Sequence, residues 1–140
     1  MILLDTNVLS EPLRPAPSAA VVTWMTTQTD VAITAISVAE LLVGARRLPA
    51  GGRRERLIAA IESTLAGGRV LPFDERAARI YAQMQEKRRA VGHPRSVEDG
   101  MIAAIAATHR AKLATRNIAD FDGLDLELMN PWAGDDGGDG

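Results

Sequence analysis

The chain opens on Met1-Ile2-Leu3-Leu4, four apolar positions in a row, and the run stops at Asp5. So short a run, apolar at every position, predicts a strand buried on both faces of a parallel sheet. Residues 7–13 then read as a brief helical turn, stopped by Pro12, Pro15 and Pro17. Ser18 is a good N-cap for a helix to about Thr27, with Ala19, Val22 and Met25 or Trp24 turned inward. Residues 31–33 predict a second strand, and 36–47 a helix ended by Pro49 and Gly51-Gly52. A further helix over 53–65 is closed by Gly67-Gly68. Residues 70–72 predict a third strand, placed at an edge by its proline.

In the second half, Asp74 caps a long helix to about Val91, and the loop 92–95 leads to Ser96. Ser96 caps a helix running to His109 whose residues 101–107 are apolar almost all round, the mark of a deeply buried element. Residues 112–115 predict a fourth strand, 116–121 a polar loop or short helix, and 126–129 a fifth strand. Asn130-Pro131-Trp132 ends the folded domain, 1–132, and the remainder, 133–140, is a disordered Gly/Asp tail. Strands separated by helical segments give an α/β class: a mainly parallel sheet of four to five strands with helices on both faces.

Composition sharpens this only in places. One domain is expected from 140 residues, 46% of them hydrophobic. The absence of cysteine excludes disulfides and thiolate metal sites. With no signal-peptide pattern and no long apolar run, a soluble cytoplasmic protein without membrane contact is the expectation. The net charge of −2 argues weakly against nucleic acid, but three of the acids lie in the last eight residues. Without them the chain has 16 bases against 15 acids, and 14 of the bases are arginine, suited to forked phosphate contacts.

Three acids stand where solubility does not explain them. Asp5 follows a buried strand directly; it either caps the next turn or faces the site expected beyond the carboxyl ends of the strands. Glu40 shares a helix face with Ile36, Val43 and Gly44, so its carboxylate projects from an apolar side and needs an arginine or a cation. Asp99 lies three residues after Ser96, where it either completes a capping box or caps while still facing a site. Asn117 lies at the same sheet edge, just past the fourth strand. Several carboxylates drawn together cannot all stay ionised without a cation, and hard oxygen ligands suit Mg²⁺ or Mn²⁺.

Other chemistries fit less well. There is no GxxxxGK[ST] loop for a nucleotide triphosphate. His93 and His109 lack zinc-ligand spacing, and Ser37 is better placed to fix Glu40 than to act as a nucleophile. Asp5-Thr6-Asn7 resembles the start of a haloacid-dehalogenase-type phosphatase, but Asn7 stands where that mechanism needs a second Asp.

The segments LLDTNVLSE, ISVAELLVGARR at 36–47, SVEDGMIAAIAATHRAKLATRNIADF at 96–121 and NPW at 130–132 together resemble PIN-domain ribonucleases. The likeness is to VapC-type toxins of type II toxin–antitoxin modules, including the FitB-like subgroup. It implies an α/β/α sandwich (PIN-like), a homodimer, and a VapB-type antitoxin that blocks the acidic site and alone contacts operator DNA. It also implies a metal-dependent endoribonuclease acting on RNA, often tRNA or rRNA. Asp5, Glu40 and Asp99 match the family's metal ligands. Many members have Asp where this chain has Asn117, and Asp120 lies three residues on, so either is expected to complete the site. Arg46, Arg47, Arg88, Arg89 and Arg95 are candidates for holding the RNA backbone. A catalytically weak PIN-like binding module and a metal-dependent phosphatase are the alternative functions.

Overall fold

Five parallel strands lie in the order β3-β2-β1-β4-β5, with β1 (Ile2–Leu4) at the centre. The structure is a computed structural model and describes residues 1–91 and 96–135. The other strands are β2 (Val31–Thr34), β3 (Arg69–Leu71), β4 (Lys112–Ala114) and β5 (Leu128–Met129). The helices are α1 (Thr6–Ser10), α2 (Ala19–Thr27), α3 (Ala35–Arg46), α4 (Gly52–Ala66), α5 (Glu75–Val91) and α6 (Val97–Thr108). Short 3₁₀ turns cover Glu11–Leu13, Ile118–Phe121 and Pro131–Asp135.

The expected α/β/α sandwich is present because β1 is apolar at every position. Leu3 points to one face, where it joins Ala32, Leu113 and the apolar residues of α5 and α6. Leu4 points to the other, against Val8, Val21, Leu41 and Ile61 from α1 to α4. Helix α6 is fully buried over residues 102–106, as its all-round apolar sequence predicts. Ser18, Asp74 and Ser96 do cap their helices, each accepting an amide N–H. The strand β3 is an edge, as its neighbouring proline predicts.

Some boundaries differ. In α2 Trp24 and Met25 pack against the core as predicted, but at the start of the helix the fully buried residue is Val21, while Ala19 is exposed. The fifth strand is half its expected length, because Gly123 (φ 81°) and Asp125 (φ 57°) turn the chain through left-handed backbone just before it. The 3₁₀ turn at the end carries regular backbone to Asp135, three residues past the expected boundary. Residues 136–140 of the expected tail lie outside the described residues, as does the loop 92–95 with His93 and Arg95.

This topology places the site. From β1 the chain moves to β2 and β3 on one side, then to β4 and β5 on the other. The order therefore reverses at β1 and β4, and the crevice beyond their carboxyl ends is where open α/β sheets bind ligands. Among the described residues no helix is long and apolar enough to cross a membrane.

Candidate metal centre

Asp5 follows β1 at that reversal. Its amide donates to the carbonyl of Ala114 at 2.9 Å, which ties it to the end of β4. The residue is 4% exposed. One carboxylate oxygen, Oδ1, accepts from the Thr6 amide at 2.8 Å, so Asp5 is indeed the N-cap of α1. The other, Oδ2, accepts from the Thr115 hydroxyl at 2.8 Å.

Register explains the Thr115 contact. Leu4 pairs with Ala114, so the residues one step on, Asp5 and Thr115, meet at the carboxyl edge. Thr115 also accepts the Asn117 amide at 3.1 Å, folding the chain around its hydroxyl.

Glu40 reaches the same place from α3. Its Oε1 accepts the Thr6 hydroxyl at 2.6 Å, and Thr6 Oγ1 lies 2.8 Å from Ser37 Oγ. Thr34 caps α3 by accepting the Ser37 amide at 3.0 Å, which fixes the helix start and hence the height of Glu40. Thr6 is therefore a bridge: its amide holds Asp5 and its hydroxyl holds Glu40. Among the described residues no ion pair involves Asp5 or Glu40, so the arginine partner considered for Glu40 is not there.

The face of α3 around Glu40 is less buried than its apolar sequence implies. Val43 is 49% exposed and Gly44 is exposed. They line an open groove of about 420 Å³ between α3 and the start of α6, together with Ile36, Arg47, Val97 and Met101. Glu40 looks into this groove and is half-buried.

Asp99 lies in the first turn of α6, its amide bonded to Ser96 Oγ at 3.1 Å. Burial pushes the Asp5 carboxyl up from 3.8 to about 6; the bonds from Thr115 and Thr6 oppose the rise, and negative charge on Asp99 and Glu40 adds to it. Two of the acids named from the sequence, Asp99 and Glu40, therefore act on the third, Asp5. Asn117 and Asp120 are both exposed, and Asp120 is not among the charges that bear on Asp5.

Among the described residues no three acids or histidines close into a finished coordination cluster. The donor set still fits a hard divalent cation: a desolvated aspartate whose charge is disfavoured, two further carboxylates acting nearby, and no arginine pairing Asp5 or Glu40 among the described residues.

Thr6, Thr34 and Thr115 were not legible as site residues. Thr6 follows Asp5 and Thr115 ends a strand, but their roles need the β1–β4 register. The arginines divide as well. Arg88 is 7% exposed and its Nη1 donates to the Asp122 carbonyl at 3.1 Å, so it holds the chain rather than facing RNA. Arg46, Arg47 and Arg89 are exposed.

The family profile described as the PIN domain matches residues 2–125. The chain belongs to the PIN-domain family. Among curated PIN-domain relatives, it is 44% identical over 137 residues to "Toxin FitB" of Neisseria gonorrhoeae, covering 94% of this chain and 99% of the relative. It is 41% identical over 138 residues to "VapC ribonuclease Y4jK" of Sinorhizobium fredii, covering 94% and 98%. The structure of FitAB bound to an IR36 DNA fragment superposes with a TM-score of 0.85 at 43% identity, covering 94% of this chain and 96% of that one. The PIN fold thus accounts for nearly the whole described chain.

Proposed function

We propose that this PIN domain is the toxin of a type II toxin–antitoxin module and a Mg²⁺- or Mn²⁺-dependent endoribonuclease. The observation that carries this reading is Asp5: buried at the sheet reversal, with its charge disfavoured by Asp99 and Glu40 and no ion pair to relieve it among the described residues. Names of the two relatives, a toxin and a ribonuclease, agree with it.

Asp5 and Asp99 would hold the cation, Glu40 would bind it or its water, and Asn117 or Asp120 would complete the set. When bound, the cation supplies Lewis acidity toward a water and positive charge toward the phosphodiester. The chain's own residues orient this chemistry. Thr115 and Thr6 fix both oxygens of Asp5. Thr6 also occupies Oε1 of Glu40, leaving Oε2 to accept a proton from a water. Arg46, Arg47 and Arg89 are exposed and able to meet RNA phosphates.

An RNA such as tRNA or rRNA is the substrate, a VapB-type antitoxin the partner, and operator DNA is reached through that antitoxin. The FitAB complex bound to DNA supports this last point by similarity. The protein acts as a cytoplasmic homodimer. The test is cleavage of total RNA with Mn²⁺ or Mg²⁺ and mapping of the new ends. Cleavage by the wild type, lost in Asp5→Asn and Asp99→Asn, is expected. Cleavage retained in both variants refutes the roles assigned here, and turnover of small phosphate esters without RNA cleavage turns the reading to a phosphatase.

A further inference from the structure

One arginine that the site as described does not use adjoins, along the chain, a residue that holds Asp5. Arg116 follows Thr115, the residue that holds Asp5, and precedes Asn117. Because the Asn117 amide folds back onto the Thr115 hydroxyl, the chain wraps that hydroxyl and sends the next side chain outward. The Arg116 guanidinium lies over the Trp132 ring, 5.0 Å from its centroid. Trp132 is itself fixed: it is 9% exposed, packs with the Leu4 and Val8 cluster, and its amide donates to Asn130 Oδ1 at 2.9 Å.

Arg116 is exposed, yet among the described residues it makes no ion pair, whereas Arg14 and Arg79 are held by Glu11 and Glu75. An indole face steadies a guanidinium without consuming its N–H donors, which lie in the plane and stay open to a bidentate acceptor. Resting on the nuclease reading above, we infer that Arg116, held on Trp132, is a substrate-binding residue that grips a backbone phosphate of the RNA next to the acidic centre. The positive charge would anchor the polyanion where three carboxylates otherwise repel it.

The test is binding of end-labelled bulk tRNA in EDTA, followed by fluorescence anisotropy from low to moderate KCl. It compares wild type, Arg116→Gln and Arg116→Lys. Removing one phosphate contact lowers the slope of log affinity against log salt by about 0.7–0.9. Loss of a charged hydrogen-bonded contact weakens binding about tenfold at low salt. Arg116→Gln is expected to show both effects; Arg116→Lys keeps the slope but not the full affinity, since lysine has no fork.

An unchanged slope and affinity in Arg116→Gln overturns the inference, including where its melting temperature falls because the arginine merely covers Trp132. The same holds where RNA binding is untouched and only the antitoxin complex loosens, or where wild type does not bind tRNA. Cleavage by the same proteins with Mn²⁺ reads the nuclease proposal separately. Cleavage without an Arg116 effect rejects this residue alone; an Arg116 effect without cleavage rejects the nuclease reading alone.

Discussion

At the scale of single residues the centre is defined by how Asp5 is kept charged against its surroundings. Its carboxyl is raised from 3.8 to about 6, first by burial, so the folded chain holds this proton more tightly than the unfolded one. Stability therefore falls as pH rises from about 4 to about 6, and above that the whole cost is present, about 3 kcal/mol at most. Asp5→Asn should raise the melting temperature of the metal-free protein at pH 7.5, with the gain vanishing below pH 4, while abolishing RNA cleavage. Thermal unfolding across that pH range checks the sign: a variant no more stable than wild type at pH 7.5 contradicts it. Thr6 gives a second test, because its hydroxyl alone joins Glu40 and Ser37. Thr6→Val leaves the amide bond to Asp5 and should cut the cleavage rate roughly 10- to 100-fold, on the scale of one positioned proton-transfer group. Thr6→Ser should restore most of it, and a Thr6→Val variant as active as wild type rejects the bridge.

At the scale of elements, the site depends on how closely α6 lies against α5. A methyl group added at Gly100, the residue after Asp99, would meet Tyr81 Cε2 at 2.8 Å. Tyr81 cannot simply swing aside, since its ring packs edge-on against Phe73 at 6.0 Å. Gly100→Ala should therefore destabilise the fold by about 1–3 kcal/mol, the usual range for overpacking. It should lower cleavage as well by displacing Asp99; denaturant unfolding and RNA cleavage of the same variant measure the two. The sequence shows where α6 begins and that it is buried, through Ser96 and the run 101–107, but not why residue 100 lacks a side chain. Apolar runs and capping residues act within a few positions and are read locally. The β1–β4 register, the Thr6 bridge and the burial of Arg88 arise between segments far apart, so no local pattern carries them. The face of Glu40 misled for the same reason: Val43 and Gly44 are apolar yet line an open groove, and only the placement of α6 shows it.

At the scale of the whole molecule, the sheet reversal at β1 and β4 makes a pocket where an ionised Asp5 is costly, and on the proposed reading a bound cation would offset that cost. The charges that disfavour ionised Asp5 are the same ones that would attract a divalent ion, so proton and cation compete for one carboxylate. A ligand that binds only the folded state stabilises it by RT ln(1 + [L]/Kd), about 2.7 kcal/mol at a hundredfold excess over Kd. Saturating Mn²⁺ or Mg²⁺ should therefore raise the melting temperature of the wild type by several degrees at pH 8, and less at pH 5.5, where a proton occupies Asp5. Asp5→Asn should show no such rise at either pH. It should begin above the wild type without metal and be overtaken as metal is added, so the two titration curves cross. EDTA should return the wild type to its starting point. An equal rise in Asp5→Asn, or a rise that does not depend on pH, means that the cation binds elsewhere and that the acids at the sheet reversal are not its ligands.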